Sequence, residues 1–148
     1  MDPREADIEH ILADKELQRI KGDAADGAGW LSKATTTLAS AEDISENDPN
    51  SAYTLAYDAA RFACSGLLAH QGLRATTTGG HYAVQQAMLG QFGSTFEPFS
   101  TMRRRRNELE YPQFSDELVE QMEADHAITT DKNTIEAARK LVEHLSMF

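Results

Sequence analysis

The chain has 148 residues, 41% hydrophobic and 26% charged, which suits one domain with its own core and excludes wholesale disorder. A formal net charge of −10 excludes a general nucleic-acid coat protein, because phosphate binding needs clustered positive charge. No apolar run approaches the roughly 18 residues of a membrane span, the start MDPREADIEH lacks the layout of a secretory signal, and the lone Cys64 has no disulfide partner, so a cytoplasmic protein is expected.

Apolar spacing predicts a first helix over about 6–21, with Ile8, Ile11, Leu12, Leu17 and Ile20 as its apolar positions. A second, over about 24–45, carries Ala24, Ala28, Leu31, Ala34, Leu38 and Ala41 on one face, while Gly22, Gly27 and Gly29 weaken its start. Residues 46–50 form a turn, and Asn50 or Ser51 can cap a third helix over about 51–72. This is the most apolar stretch of the chain. Its polar residues Thr54, Asp58, Arg61 and Ser65 follow i, i+4, i+7, i+11 and read as one narrow polar seam, with Asp58 and Arg61 spaced to pair. Gly72 ends the helix, and the glycine- and threonine-rich residues 74–80 read as loop.

A fourth helix is predicted over about 81–92, with Val84, Ala87, Met88 and Leu89 inward. The fifth starts near Pro98 and ends before Pro112, since the residue preceding a proline avoids helical angles. A weaker segment covers about 115–124. The last helix, about 132–146, is capped by Thr130 or Asp131 and presents Ile135, Ala138, Val142 and Leu145. No strand alternation and no internal repeat are visible. The expected fold class is all-α: a single domain over 1–148, an up-and-down bundle of about five to six helices.

The positive charge is unevenly placed. Of 14 lysines and arginines, four stand together at Arg103, Arg104, Arg105 and Arg106. At about 100° per residue, Phe99, Met102 and Leu109 share a face about 80° wide, and Arg106 falls inside it. Arg104 lies opposite, and Arg103 and Arg105 flank the apolar stripe, where pairing with Glu108 is expected. An arginine on an apolar face must meet a carboxylate, a cleft or a subunit boundary, because stripping its hydration is costly. Asp58 and Glu110 are its candidate partners.

The residues Ser-Ala-Tyr-Thr-Leu-Ala-Tyr-Asp-Ala-Ala-Arg from Ser51, continuing to Gly-Gly-His-Tyr-Ala-Val at 79–84, resemble the central helices of bacterial HEPN-domain proteins. Arg-Arg-Arg-Arg-Asn-Glu-Leu-Glu-Tyr-Pro at 103–112 resembles the motif that closes that core: an arginine, a polar residue, then a histidine four to six residues on. The resemblance covers about 51–113. It implies a helical bundle that dimerises with its motif arginines facing across a cleft. It also implies a metal-independent endoribonuclease of toxin–antitoxin or defence systems, with an antitoxin or nucleotidyltransferase partner. Arg106 then matches the motif arginine and Asn107 the polar residue, and both, with Tyr111, become the catalytic candidates.

Tyr111 stands where the family has histidine. Cleavage by a ribose 2′-hydroxyl needs a group that exchanges a proton near neutrality. A phenol, with pKa near 10, is a poor base and serves better as an acid or hydrogen-bond donor. The histidines His10, His126 and His144 read as exposed, and His70 as a helix-end residue. His81, after Gly79 and Gly80, joins Arg103, Arg105, Asp58 and Arg61 as a substrate-binding candidate. No metal-ligand spacing appears, so no metal and no cofactor are expected. Two functions remain open. One is a HEPN-like RNA- or nucleotide-binding protein with weak nuclease activity. The other is a non-catalytic helical dimer serving as an interaction or accessory subunit, its acidic residues Asp116, Glu117, Glu120, Glu123 and Asp125 facing a partner or shielding the cleft.

Overall fold

Two aspartates fix where the bundle's innermost helices begin. In the computed structural model, which describes residues 3–22, 25–76, 80–114 and 118–145, the Asp26 carboxylate accepts from the Gly29 amide and starts α2 (Gly27–Ile44). The Asp48 carboxylate likewise accepts from Ser51 and starts α3 (Pro49–His70), with Pro49 in the first turn. The cap of α3 is therefore Asp48, neither Asn50 nor Ser51. Hydrogen bonds from the Ser51 side chain and then from its amide hold the Asp48 carboxyl below the usual carboxylate range.

The helices α2 and α3 pack along small residues. Leu31, Ala34, Leu38 and Ala41 are buried from one side, and Ala52, Ala56, Ala59, Ala60 and Ala63 from the other. They come closest at Gly27 and Gly66. A Cβ on Gly27 would stand 2.8 Å from the Gly66 carbonyl oxygen, and one on Gly66 would stand 3.0 Å from the Trp30 Cβ. Gly27 thus marks a helix crossing and does not weaken the helix, whereas Ala28 is exposed and leaves the predicted apolar face.

The first predicted helix is shorter than its apolar spacing suggests. Here α1 (Pro3–Ala13) ends before Lys15, whose φ of 61° no helix accommodates. Strand β1 (Leu17–Arg19) follows and pairs antiparallel with β2 (Leu73–Ala75), in the register Leu17–Ala75, Gln18–Arg74 and Arg19–Leu73. Leu17 and Leu73 are buried beneath this ribbon. The expectation that no strand forms is corrected at these six residues.

Further on, α4 (Gly80–Phe92) buries Val84, Ala87 and Met88, and a 3₁₀ turn over 93–96 leads into α5 (Glu97–Glu110). The side chains of His81 and Leu89 lie outside the described set. The weaker segment and the last predicted helix form one continuous helix, α6 (Gln121–Val142), while 115–117 lie outside the described residues. Thr130 and Asp131 are consequently mid-helix and cap nothing. Asp131 is fully buried, and neither carboxylate oxygen has a partner among the described residues.

The chain is an all-α bundle of about six helices with one small ribbon. Central α3 is covered by α2, α6 and α5. Tyr57 lies at its middle, fully buried and stacked on Phe99 of α5 at 5.6 Å and 5°. Among the described residues, no helix is long and apolar enough to cross a membrane.

Candidate functional site

The polar stripe of α3 is a half-buried seam flanked by α5. Thr54, Asp58, Arg61 and Ser65 are all intermediate in exposure, because α2 and α6 cover the apolar remainder of the helix. Asp58 and Arg61 form the expected i,i+3 pair, at 3.7 Å.

Helix α5 turns Arg104 outward as the helical geometry dictates, but does not set Arg106 deeper than its neighbours Arg103 and Arg105. Phe99 and Met102 are buried, Arg104 is exposed, and Arg103, Arg105 and Arg106 are half-buried at the margin. Arg106 ion-pairs with Glu110 one turn on, the second of its two expected partners. Its guanidinium also sits 5.8 Å from the centroid of the Tyr57 ring, a contact the sequence did not reveal. Arg103 donates through Nε to the Gln85 side chain of α4. Arg105 does pair with Glu108, at 3.1 Å, but its principal partner is Glu123 of α6, held bidentately at 2.7 and 3.3 Å. Both Glu123 and Glu108 raise the Arg105 pKa, the Glu123 hydrogen bond most.

Several of these charges act on one phenol. Burial pushes the Tyr57 pKa up to about 12, opposed by the positive charges of Arg61, Arg106 and Arg103 and reinforced by Asp58. Arg61 from α3 and two arginines from α5 therefore lie within electrostatic reach of the same ring. Tyr53, one turn earlier, is likewise pushed up to about 12 by burial and by Glu123, with Arg105 opposing.

The expected catalytic trio does not converge. Asn107 is exposed, and its carbonyl accepts from the Tyr111 amide at 3.1 Å as the helix ends. Tyr111 is 77% exposed, beyond the last turn of α5. A 14-residue helix that ends at Glu110 leaves this side chain in solvent, whereas Arg106 is half-buried against Glu110 and Tyr57. Of the substrate-binding candidates, Asp58 and Arg61 pair on α3, Arg103 binds Gln85 of α4, Arg105 turns toward α6, and His81 lies outside the described side chains.

The acidic residues divide in the same way. Glu123 holds Arg105, and Asp125 accepts from Ser45 at the end of α2, so both act within the bundle. Asp116 and Glu117 lie outside the described residues. His10, His126 and His144 are exposed as expected. Cys64 is fully buried, and burial pushes its thiol pKa up, which removes it as a nucleophile. Among the described residues, no three His, Cys, Asp or Glu side chains are grouped as metal ligands.

Tyr57, Gln85 and Glu123 are the site residues that sequence spacing missed. Each belongs to a different helix from its arginine, and only tertiary packing joins them. No family model, curated protein or solved structure matches the chain.

Proposed function

We propose that the chain is a HEPN-like RNA- or nucleotide-binding protein that holds phosphate along the seam between α3 and α5 and turns substrate over weakly or not at all. The observation that supports this most is Arg106 beside the Tyr57 ring at 5.8 Å, with the positive charges of Arg61 and Arg103 acting on the same phenol, in a chain whose net charge is −10. An acidic surface repels polyanions, so contact is confined to the place where arginines outnumber carboxylates. Asn107 stands beside them on α5 and can orient a phosphate oxygen. Exposed Tyr111 can donate a hydrogen bond and is a poor base. A cytoplasmic role with an antitoxin or nucleotidyltransferase partner belongs to the same proposal.

The test incubates the protein with labelled mixed-sequence RNA, with and without EDTA, and follows binding and cleavage together. Binding without turnover is expected, lost in Arg106→Ala and retained or tightened in Glu110→Gln, which breaks the ion pair but keeps the arginine. Cleavage that survives EDTA and disappears in Arg106→Ala would make the chain a metal-independent ribonuclease. Equal or absent binding in all three proteins would reduce Arg106 to a structural ion-pair partner.

A second reading, a non-catalytic dimer or accessory subunit, is favoured by one separate feature. Tyr111, Phe114, Leu118 and Met122 are 77%, 61%, 63% and 82% exposed where α5 gives way to α6. Four large apolar side chains so close in sequence suit a surface covered by a second copy or another protein. Light scattering during size exclusion tests it: a monomer at micromolar concentration counts against the homodimer, and a dimer lost in Met122→Glu supports it.

A further inference from the structure

Away from α5, a cleft of about 630 Å³ opens between the start of α2, the second half of α3, the ribbon and α4. Its floor is apolar, made by Leu68, Ala69, Leu73 and Val84. Its rim is cationic. Lys33, Arg61 and Arg74 come from three different elements, and Asp26 is the one acid among the described lining residues. That acid is already engaged, since its carboxylate accepts the Gly29 amide as the cap of α2. Arg61 is shared with the α3–α5 seam, but neither Arg103 nor Arg106 lines the cleft, and Lys33 and Arg74 belong to it alone.

Two of the cations meet on one ring. The Lys33 ammonium lies 4.4 Å and the Arg61 guanidinium 4.7 Å from the centroid of Phe62, and Lys33 also covers Trp30 at 5.4 Å. Both positive charges are thus anchored beside the same ring, where an anion at the rim is drawn to each. Asp58 reaches only one Nη of Arg61, at 3.7 Å, and the buried Arg61 Nε has no hydrogen-bond partner among the described residues. Buried donors of a charged group are rarely left so. Arg74 approaches from the ribbon: with the Gln18 amide oriented by its partners, its oxygen accepts from Arg74 Nε and Nη2 at 2.8 and 2.6 Å. That bond, and the pairing of β1 with β2, hold Arg74 at the rim.

A pocket of this size, apolar below and charged at one edge, is proportioned for a small organic ligand with an anionic head. We propose that it binds an organic phosphate monoester, the phosphate among Lys33, Arg61 and Arg74 and the apolar or planar body over Trp30, Leu68, Leu73 and Val84. A nucleoside monophosphate and a short alkyl phosphate share this chemistry.

Trp30 is the chain's single tryptophan, so its emission reports on this cleft alone. The full chain is titrated with AMP, hexyl phosphate, adenosine, hexanol and inorganic phosphate, by Trp30 fluorescence and by calorimetry. One or both esters should bind saturably, at least about tenfold tighter than the matching neutral compound and than inorganic phosphate. Which ester binds more tightly identifies the body. Lys33→Ala and Arg74→Ala alter exposed side chains and should each weaken the ester about tenfold with unchanged melting. Lys140→Ala, which alters an exposed cation of α6 outside both sites, should leave its affinity as it was. The proposal is overturned if neither ester binds by about 10 mM in either assay, if the neutral compounds bind as tightly as the esters, or if the Lys33→Ala, Arg74→Ala double variant retains full affinity.

Discussion

Replacing Asp131 by asparagine should stabilise the protein near neutral pH and do progressively less as the pH falls. The Asp131 carboxyl is fully buried on α6, neither oxygen has a partner among the described residues, and Tyr53 and Cys64 of α3 lie within its electrostatic reach. Burial without compensation raises its pKa well above the carboxylate range. The sign follows from proton counting. Between the unfolded value near 3.9 and the raised folded value, the folded chain binds the proton that the unfolded chain has released. Stability therefore falls as pH rises through that window, by about 1.4 kcal/mol per pH unit at most, and levels off above it. Asparagine keeps the size and neutrality of the protonated acid, so it removes this slope. The other titrations of an acidic chain affect both proteins alike, and the difference between them isolates Asp131. Urea unfolding of both proteins at intervals from pH 4.5 to 8 measures it. A stability difference that grows in favour of Asp131→Asn with pH is expected. A difference independent of pH, or an asparagine variant less stable at pH 8, would mean that the carboxylate is charged and compensated in the fold.

Other outcomes follow from the packing. Gly66→Ala should cost about 1–3 kcal/mol, because its Cβ would stand 3.0 Å from the Trp30 Cβ and 3.1 Å from the Gly27 carbonyl oxygen; thermal melting reads it, and a neutral result would show that α2 and α3 can separate freely. Phe99→Ala removes the ring stacked on Tyr57 and should cost about 3–5 kcal/mol in urea unfolding. Arg105→Ala should cost only about 1 kcal/mol, since the Arg105 and Glu123 side chains retain 28% and 39% exposure. That cost should shrink in high salt, and a loss several times larger would mark the pair as the main tie between α5 and α6.

The sequence announces features that repeat over several turns and hides those made by a few residues. Leu31, Ala34, Leu38 and Ala41 define α2 because they recur on one face, and Pro98 and Pro112 bracket α5 for steric reasons local to proline. The ribbon escaped because three residues cannot display alternation, and Leu17 and Ile20 happen to share the helical spacing of Ile8 and Ile11. The long α6 was divided because Thr130 and Asp131 look like caps; inside the fold, Asp131 is carried into the core by a helix whose other buried residues outweigh it.

The site shows the same division. Rotation about α5 put Glu110 in reach of Arg106, as both are on one helix, but set Arg106 inside the apolar face, whereas it is half-buried like Arg105. Glu123, Gln85 and Tyr57 are distant in sequence and had no local signal. Lys33 and Arg74 lie on an exposed helix face and a loop-like stretch, where isolated cations are ordinary, and only the fold brings them to one cleft with Arg61.

The most direct test of the phosphate-binding seam is the salt dependence of single-stranded RNA affinity. Three arginine–phosphate contacts predict a slope of log K against log salt of about −2, which should fall toward about −1.4 in Arg103→Ala or Arg106→Ala. A slope near zero, or one that neither substitution changes, would contradict the account and leave the arginines of α5 as ties within the bundle.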